Sequence, residues 1–287
     1  MTRIRSVGIF GLGLIGGSLA RDLSQRGVRV CAYDRDGASL RAALDAGVVS
    51  APLDKSCADT ADLDALVIAL PVNAALELLS ATADRLAGVP LISDVCSTKR
   101  TIVQAAQRLG LRQFVGAHPL AGDHRTGWAA SRAGLFTGAT VYFCPTDATP
   151  AAPLAMLQQL WAHTGAFAEI IGAEAHDRLV ALTSHLPQAA STALARVLAS
   201  AGIPRDRLGP GGRDMVRLAR SPADTWTPIA LDNARSLGAA LAALEQELAT
   251  MREALDRDDQ AAVHGFFALR PPPPLAAHGG ECQALTG

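Results

Sequence analysis

Near its N-terminus the chain passes from an apolar run, Val7-Gly-Ile-Phe10, into Gly11-Leu-Gly13-Leu-Ile-Gly16-Gly17-Ser18 and on into an amphipathic stretch from Leu14 to Arg26. A G-x-G-x-x-G turn between a strand and a helix leaves few folds open, because each glycine answers a separate steric demand. Gly11 permits the tight turn, Gly13 lets a pyrophosphate approach bare backbone, and Gly16 allows the helix to close on the strand. The phosphates are expected on the N–H groups of Leu14 and Ile15, at the positive end of the helix. A second run, Val28-Arg-Val-Cys-Ala-Tyr33, ends at Asp34, eighteen residues beyond Gly16, where an acid meets a ribose 2′-hydroxyl. Its charge would repel a 2′-phosphate, so NAD is expected over NADP, with the adjacent Arg35 as the feature that favours the opposite choice. The alternative is a glycine-rich turn of an α/β protein that holds no nucleotide. Strand, loop, helix, second strand and acid together speak against it.

A chain of 287 residues is long enough for two domains with cores of their own. Its formal charge of −1 suggests no nucleic-acid or anionic-membrane partner. The five cysteines (Cys31, Cys57, Cys96, Cys144 and Cys282) contain no C-x-x-C pair, which points to a reduced, cytoplasmic chain without a disulfide framework or a metal site. Arg3 and Arg5 ahead of an apolar stretch imitate a signal peptide, but that stretch is already accounted for as strand and glycine loop. No uninterrupted apolar run reaches the roughly 18 residues of a membrane span. Pro271–Pro274 and the sequence after it read as a flexible tail, 271–287.

The first half alternates short apolar runs with helical patterns, as a parallel sheet requires. Leu66-Val-Ile-Ala-Leu70, closed by Pro71, reads as a buried strand whose end, Leu70-Pro71, is a further expected cofactor contact. Pro90–Asp94, Phe114–Ala117, Thr140–Cys144 and Phe167–Ile171 continue the sheet, with a helix over Pro153–Thr164. From about Ala173 strand signals cease. Ala175–Ala199 reads as a long helix kinked at Pro187. Leu237, Leu241, Leu244, Leu248, Met251 and Leu255 then repeat at spacings of four and three, an a/d seam that serves either a helical core or a partner interface. The expected architecture is an α/β Rossmann-type N-terminal domain with a mostly parallel sheet (1–172), followed by an all-α C-terminal dimerisation domain (173–270), assembled as a homodimer.

Ligands of open α/β sheets gather beyond the carboxyl ends of the strands. Two such ends carry reactive groups: Cys96-Ser97-Thr98-Lys99 after one strand, and His118-Pro119-Leu120-Ala121-Gly122 after another. A histidine there is placed to take an alcohol proton while hydride leaves the same carbon, and Ser97 could bond both that histidine and the hydroxyl. The structural alternatives are a turn histidine before proline for His118 and a helix N-cap for Ser97.

Gly11–Ser18, Asp94-Val-Cys-Ser-Thr-Lys99, Phe114-Val-Gly-Ala-His-Pro-Leu-Ala-Gly122, His176-Asp177, Ser184-His-Leu-Pro187 and Gly211-Gly-Arg-Asp-Met-Val-Arg217 recur in this order in prephenate dehydrogenases. From about residue 5 to 267 the chain resembles that family, which includes the arogenate and cyclohexadienyl dehydrogenases of tyrosine biosynthesis. The resemblance implies an NAD-dependent enzyme with a small-molecule substrate. Hydride leaves the ring carbon bearing the 4-hydroxyl, the ring carboxylate departs as CO2, and aromatisation to 4-hydroxyphenylpyruvate drives the reaction. It also implies that His118 accepts the hydroxyl proton, Ser97 positions hydroxyl and histidine, and Arg217 binds a substrate carboxylate, a task suited to a planar guanidinium. Arg213-Asp214 matches a basic–acidic pair near the site, with arginine where lysine is usual. His176 and His185 read as structural histidines.

Two departures bear on the substrate. Gln188 stands where many relatives carry a second histidine, so a titrating contact is replaced by a neutral one. Asp123 stands where a hydroxyl residue is usual. Facing the substrate side chain it would favour the ammonium of arogenate, or of a 4-amino-4-deoxy analogue, and otherwise it pairs with Arg125 or His124. No regulatory domain or fused mutase is evident, so tyrosine feedback would have to act at the active site itself. A β-hydroxyacid dehydrogenase would need a lysine on the helix entering the second domain, and the only lysines are Lys55 and Lys99. A non-catalytic NAD sensor would have no use for His118, Ser97 and Arg217 together.

Overall fold

The computed structural model describes residues 4–123 and 125–268. His124, the expected tail 271–287, and with it His278 and Cys282, lie outside the described residues. Among those described, the strands are β1 (Ser6–Phe10), β2 (Arg29–Tyr33), β3 (Ala51–Pro52), β4 (Ala65–Ile68), β5 (Leu91–Asp94), β6 (Phe114–Pro119), β7 (Thr140–Cys144) and β8 (Phe167–Ile170). They form one sheet in the order β3-β2-β1-β4-β5-β6-β7-β8. The strands pair in parallel except β7, which runs antiparallel to β6.

The helices follow as α1 (Leu14–Gln25), α2 (Gly37–Asp45), α3 (Val72–Leu86), α4 (Arg100–Arg108), α5 (Ala151–Ala162), α6 (Ala173–Val180), α7 (Leu186–Ser200), α8 (Pro210–Met215), α9 (Ala223–Asp232), α10 (Ala234–Asp256) and α11 (Gln260–Phe267). The period of two along each strand divides the core between both faces of the sheet. Ile9, Val30, Val67 and Val115 pack on one side with Leu19 and Leu23 of α1 and Leu157, Leu160 and Trp161 of α5. Phe10, Cys31, Leu66, Ile68 and Ile92 pack on the other with Leu79 of α3 and Ile102 and Val103 of α4. The fold is thus a mostly parallel, doubly wound Rossmann-type sheet followed by helices, with the strand order reversing between β1 and β4.

Two compact units emerge. Among the described residues, the first takes in 4–179 and also Arg220–Asp232, so that α9 packs with the sheet unit, where it contacts α3; the second comprises Val180–Ala219 and 233–268. The start of α6, just after the expected division at 172/173, is bonded into the sheet unit. The helix expected to kink at Pro187 widens just before it, into one π turn over Ala181–His185. Pro187 has no N–H to return to the preceding turn, and α7 restarts with the proline in its first turn. In the second unit, buried His185 bonds Asn233 (Nδ1 to Nδ2, 3.2 Å), as suits a core histidine.

Candidate active site

The glycine loop fits a dinucleotide on steric grounds. Gly11 has a φ of +97°, and a Cβ there would meet the Ala69 carbonyl oxygen at 2.3 Å. A Cβ on Gly16 would lie 2.0 Å from the Gly11 oxygen, whereas one on Gly13 meets nothing within 4 Å, so open space faces bare backbone where phosphate is expected. The N-terminus of α1, with Leu14 and Ile15 in its first turn, receives no capping side chain. Asp34 holds this loop in place: its two carboxylate oxygens accept the N–H groups of Leu12 (2.6 Å) and Asp36 (2.8 Å). Each oxygen retains a further lone pair for a ribose hydroxyl. Arg35 is exposed beside it. Leu70 and Pro71 follow β4, the strand next to β1, and so lie at the reversal of strand order that dinucleotide crevices use.

Two strands along, the carboxyl ends of β5 and β6 are locked by a fully buried ion pair between Asp94 and Lys99. Lys99 Nζ also donates to the Ala117 carbonyl (2.8 Å), while Asp94 accepts the N–H groups of Ala117 (3.2 Å) and Cys96 (2.8 Å). The peptide preceding His118 is thereby clamped on both sides. A buried pair of this kind stabilises little on balance, but loss of one partner costs about 3–5 kcal/mol. Its use here is to fix geometry. Cys96, deeply buried, has its thiol pushed well up by desolvation and is no nucleophile at neutral pH.

His118 lies within β6 rather than after it, because antiparallel pairing with β7 carries the strand on to Pro119 and sets His118 opposite Tyr142. Its Nδ1 lies 2.8 Å from Nε2 of His176, whose Nδ1 lies 2.8 Å from Oδ1 of Asp177. His176 is fully buried, with the Tyr142 ring in T-shaped contact with it. The Asp177 carboxylate also accepts the N–H groups of Lys99 (2.7 Å) and Arg100 (2.9 Å). It thus caps α4, the task that Ser97 was the candidate to perform. Ser97 itself is half-buried in the β5–α4 loop, with no hydrogen-bond partner among the described residues.

The remaining expected site residues fall in two places. Asp123, in the sheet unit, forms ion pairs with Arg125 (2.9 Å) and Arg132 (3.1 Å). In the helical unit, buried Gln188 donates to the Leu218 carbonyl (2.8 Å), and its Oε1 has no partner among the described residues. Ser191 accepts the Ala219 N–H (3.2 Å), so α7 anchors the turn that follows Arg217. Arg217 is exposed, and Arg213 is tied to the Leu208 carbonyl. The His176–Asp177 pair and the Asp94–Lys99 clamp went unmarked as functional from sequence. The signals in the sequence are the Asp94–Lys99 and His176-Asp177 motifs themselves, which carry the family resemblance without naming a role.

A glycine-loop nucleotide cradle and a braced histidine on the same sheet edge define a dinucleotide-dependent dehydrogenase. Comparison with known proteins narrows this. Residues 19–170 match the family model described as prephenate dehydrogenase, nucleotide-binding domain, and residues 172–269 that described as prephenate dehydrogenase, dimerization domain. The prephenate dehydrogenase of Bacillus subtilis is 29% identical, aligned over 90% of this chain and 72% of its own length. The cyclohexadienyl dehydrogenase of Zymomonas mobilis is 30% identical over 90% of this chain and 91% of its own. The crystal structure of prephenate dehydrogenase from A. aeolicus, in complex with hydroxyphenyl propionate and NAD+, superposes with a TM-score of 0.82 at 27% identity, covering 92% of this chain and 95% of that one. The chain belongs to the prephenate dehydrogenase family.

Proposed function

We propose that the chain catalyses the NAD-dependent oxidative decarboxylation of prephenate to 4-hydroxyphenylpyruvate. The observation that carries this is His118, in a chain of this family, braced from behind at the carboxyl end of β6. Bound on the glycine loop, NAD supplies the hydride acceptor. Gly11, Gly13 and Gly16 admit the pyrophosphate, the N–H groups of Leu14 and Ile15 bond it, Asp34 and Arg35 border the ribose, and Leu70-Pro71 lines the crevice. His118 takes the proton of the 4-hydroxyl, and the Ser97 hydroxyl orients that group. Arg217 pairs with a substrate carboxylate, with Arg213 and Gln188 as further substrate contacts. Departure of the ring carboxylate leaves an aromatic product, which makes the reaction irreversible.

The paired charge of Asp123 supports prephenate over arogenate, since two guanidinium groups already offset the carboxylate that would attract an ammonium. The reading includes a cytoplasmic homodimer, supported by the match to a dimerization domain. Purified protein given NAD and prephenate should raise absorbance at 340 nm and release 4-hydroxyphenylpyruvate, with a higher kcat/KM than for arogenate. Absence of turnover with either substrate would reject the assignment. A preference for arogenate that disappears in Asp123→Asn would reverse the choice of substrate.

A further inference from the structure

We propose that His176 and Asp177 are positioning residues that fix the tautomer of His118, holding its proton on Nδ1 and its lone pair on Nε2. The inference rests on the reading of His118 as the base of the proposed reaction. It follows from counting donors along the three-residue chain. The Asp177 carboxylate accepts two backbone N–H groups and the His176 ring at once, so an ionised Asp177 offers only acceptors. The proton in the 2.8 Å contact between Asp177 and His176 must therefore sit on His176 Nδ1. A neutral His176 then has a bare Nε2, and the 2.8 Å contact to His118 can form only if His118 Nδ1 is the donor. Neutral imidazole carries one N–H, so the basic lone pair of His118 is on Nε2.

The surroundings favour both protonation states assumed. Burial drives the His176 imidazole below its ordinary value, against the raising effect of the Asp177 bond. Burial alone would raise Asp177, but its bonds from His176, Arg100 and Lys99 bring it below the usual carboxylate range. The charged groups facing His176 are Asp177 on its own helix, Lys99 at the start of α4 and Asp94 of β5, with Tyr142 of β7 in T-shaped contact with the ring. In the transfer itself the substrate O–H bond breaks and a His118 Nε2–H bond forms. The imidazolium keeps its Nδ1–H bond to His176, with the Asp177 carboxylate behind to stabilise the charge. This is the same division of labour by which a buried acid orients a catalytic histidine in hydrolase triads, with a second imidazole inserted.

Nitrogen-15 histidine labelling with long-range proton–nitrogen spectra reads the tautomer in the whole protein without any turnover. At about pH 7.5, His118 should carry its proton on Nδ1. In His176→Leu it should shift toward the Nε2–H form, with kcat falling at least tenfold and up to the roughly 10²–10⁴-fold that general-base help supplies, and KM nearly unchanged. His176→Gln, whose Oε1 can accept from His118 Nδ1, should restore the tautomer and most of kcat, a rescue that a purely packing role would not give. An Nε2–H tautomer in the wild type would overturn the proposal whatever the variants do. So would a His176→Leu protein with unchanged tautomer and kcat. Full turnover in His118→Asn would instead remove His118 as the base, leaving the measured tautomer to stand by itself.

Discussion

At the scale of single residues, the glycine loop separates two demands that sequence spacing presents as one. Gly16 is needed by the fold, since an added Cβ would press on the Gly11 oxygen at 2.0 Å and on Ala69 at 2.8 Å. Gly13 has ordinary extended backbone and empty space around it, so nothing in the protein itself excludes a methyl group there. Gly16→Ala should therefore destabilise by about 1–3 kcal/mol, at roughly 2–4 °C in Tm per kcal/mol, and weaken NAD binding as well. Gly13→Ala should leave Tm almost unchanged and weaken NAD binding alone, as calorimetry on both variants would show. A large loss of Tm in Gly13→Ala would mean that the space is filled by protein. The loop was legible in the sequence because the steric demands on each glycine are local. The sequence marks Asp34 only as a candidate acid for a ribose; its part as the strap that bonds Leu12 and Asp36 is visible only in the folded chain. The partners of His118 were not legible, since its contact with His176 spans 58 residues and leaves no periodic trace.

At the scale of elements, the strands emerge close to where apolar runs placed them, because a sheet covered on both faces needs such runs. The exceptions are tertiary in origin. β6 lengthens to include His118 through pairing with β7, and α4 is capped by Asp177 of α6 instead of by its own preceding hydroxyl. That borrowed cap ties α6 to the sheet unit through titrating groups, with a consequence for acid stability. The folded form resists protonating His176, whereas the unfolded chain takes a proton near pH 6.5, so stability should fall as pH drops from about 6.5 toward the lower folded value. Asp177 acts later: its contribution is present above about pH 4 and is lost as pH falls through its depressed folded value. Asp22, raised by burial, works in the opposite sense at the low end. Tm measured from pH 7.5 to 5 should decline in the wild type and flatten in His176→Gln, which keeps an acceptor for His118 but cannot titrate. Equal slopes in the two proteins would remove His176 as the source.

At the scale of the whole molecule, the a/d repeat of α10 suits either a core or an interface, and its exposure pattern divides it. Leu237 is buried and Leu241, Leu244 and Met251 are half-buried, whereas Leu248 and Leu255, on the later part of the Leu241 row, are 57% and 58% exposed. Elsewhere on the helical unit, Leu182, Val197, Met215 and Phe267 are exposed as well. Covering a leucine recovers about 1.5–3 kcal/mol, and a stable interface needs on the order of 800 Å² per partner, so a row on one face of a 23-residue helix supplies a fitting centre for one. If that row meets a second copy, a carboxylate placed in it is buried against its own symmetry mate and repels it. Leu248→Glu and Leu255→Glu should then shift the protein from dimer to monomer in sedimentation experiments. Because both side chains are exposed within the chain, the separated monomers should keep their helical content. A wild-type protein that sediments as a monomer at micromolar concentration would count against the dimer, and an undisturbed dimer in both variants would move its interface off this row of α10.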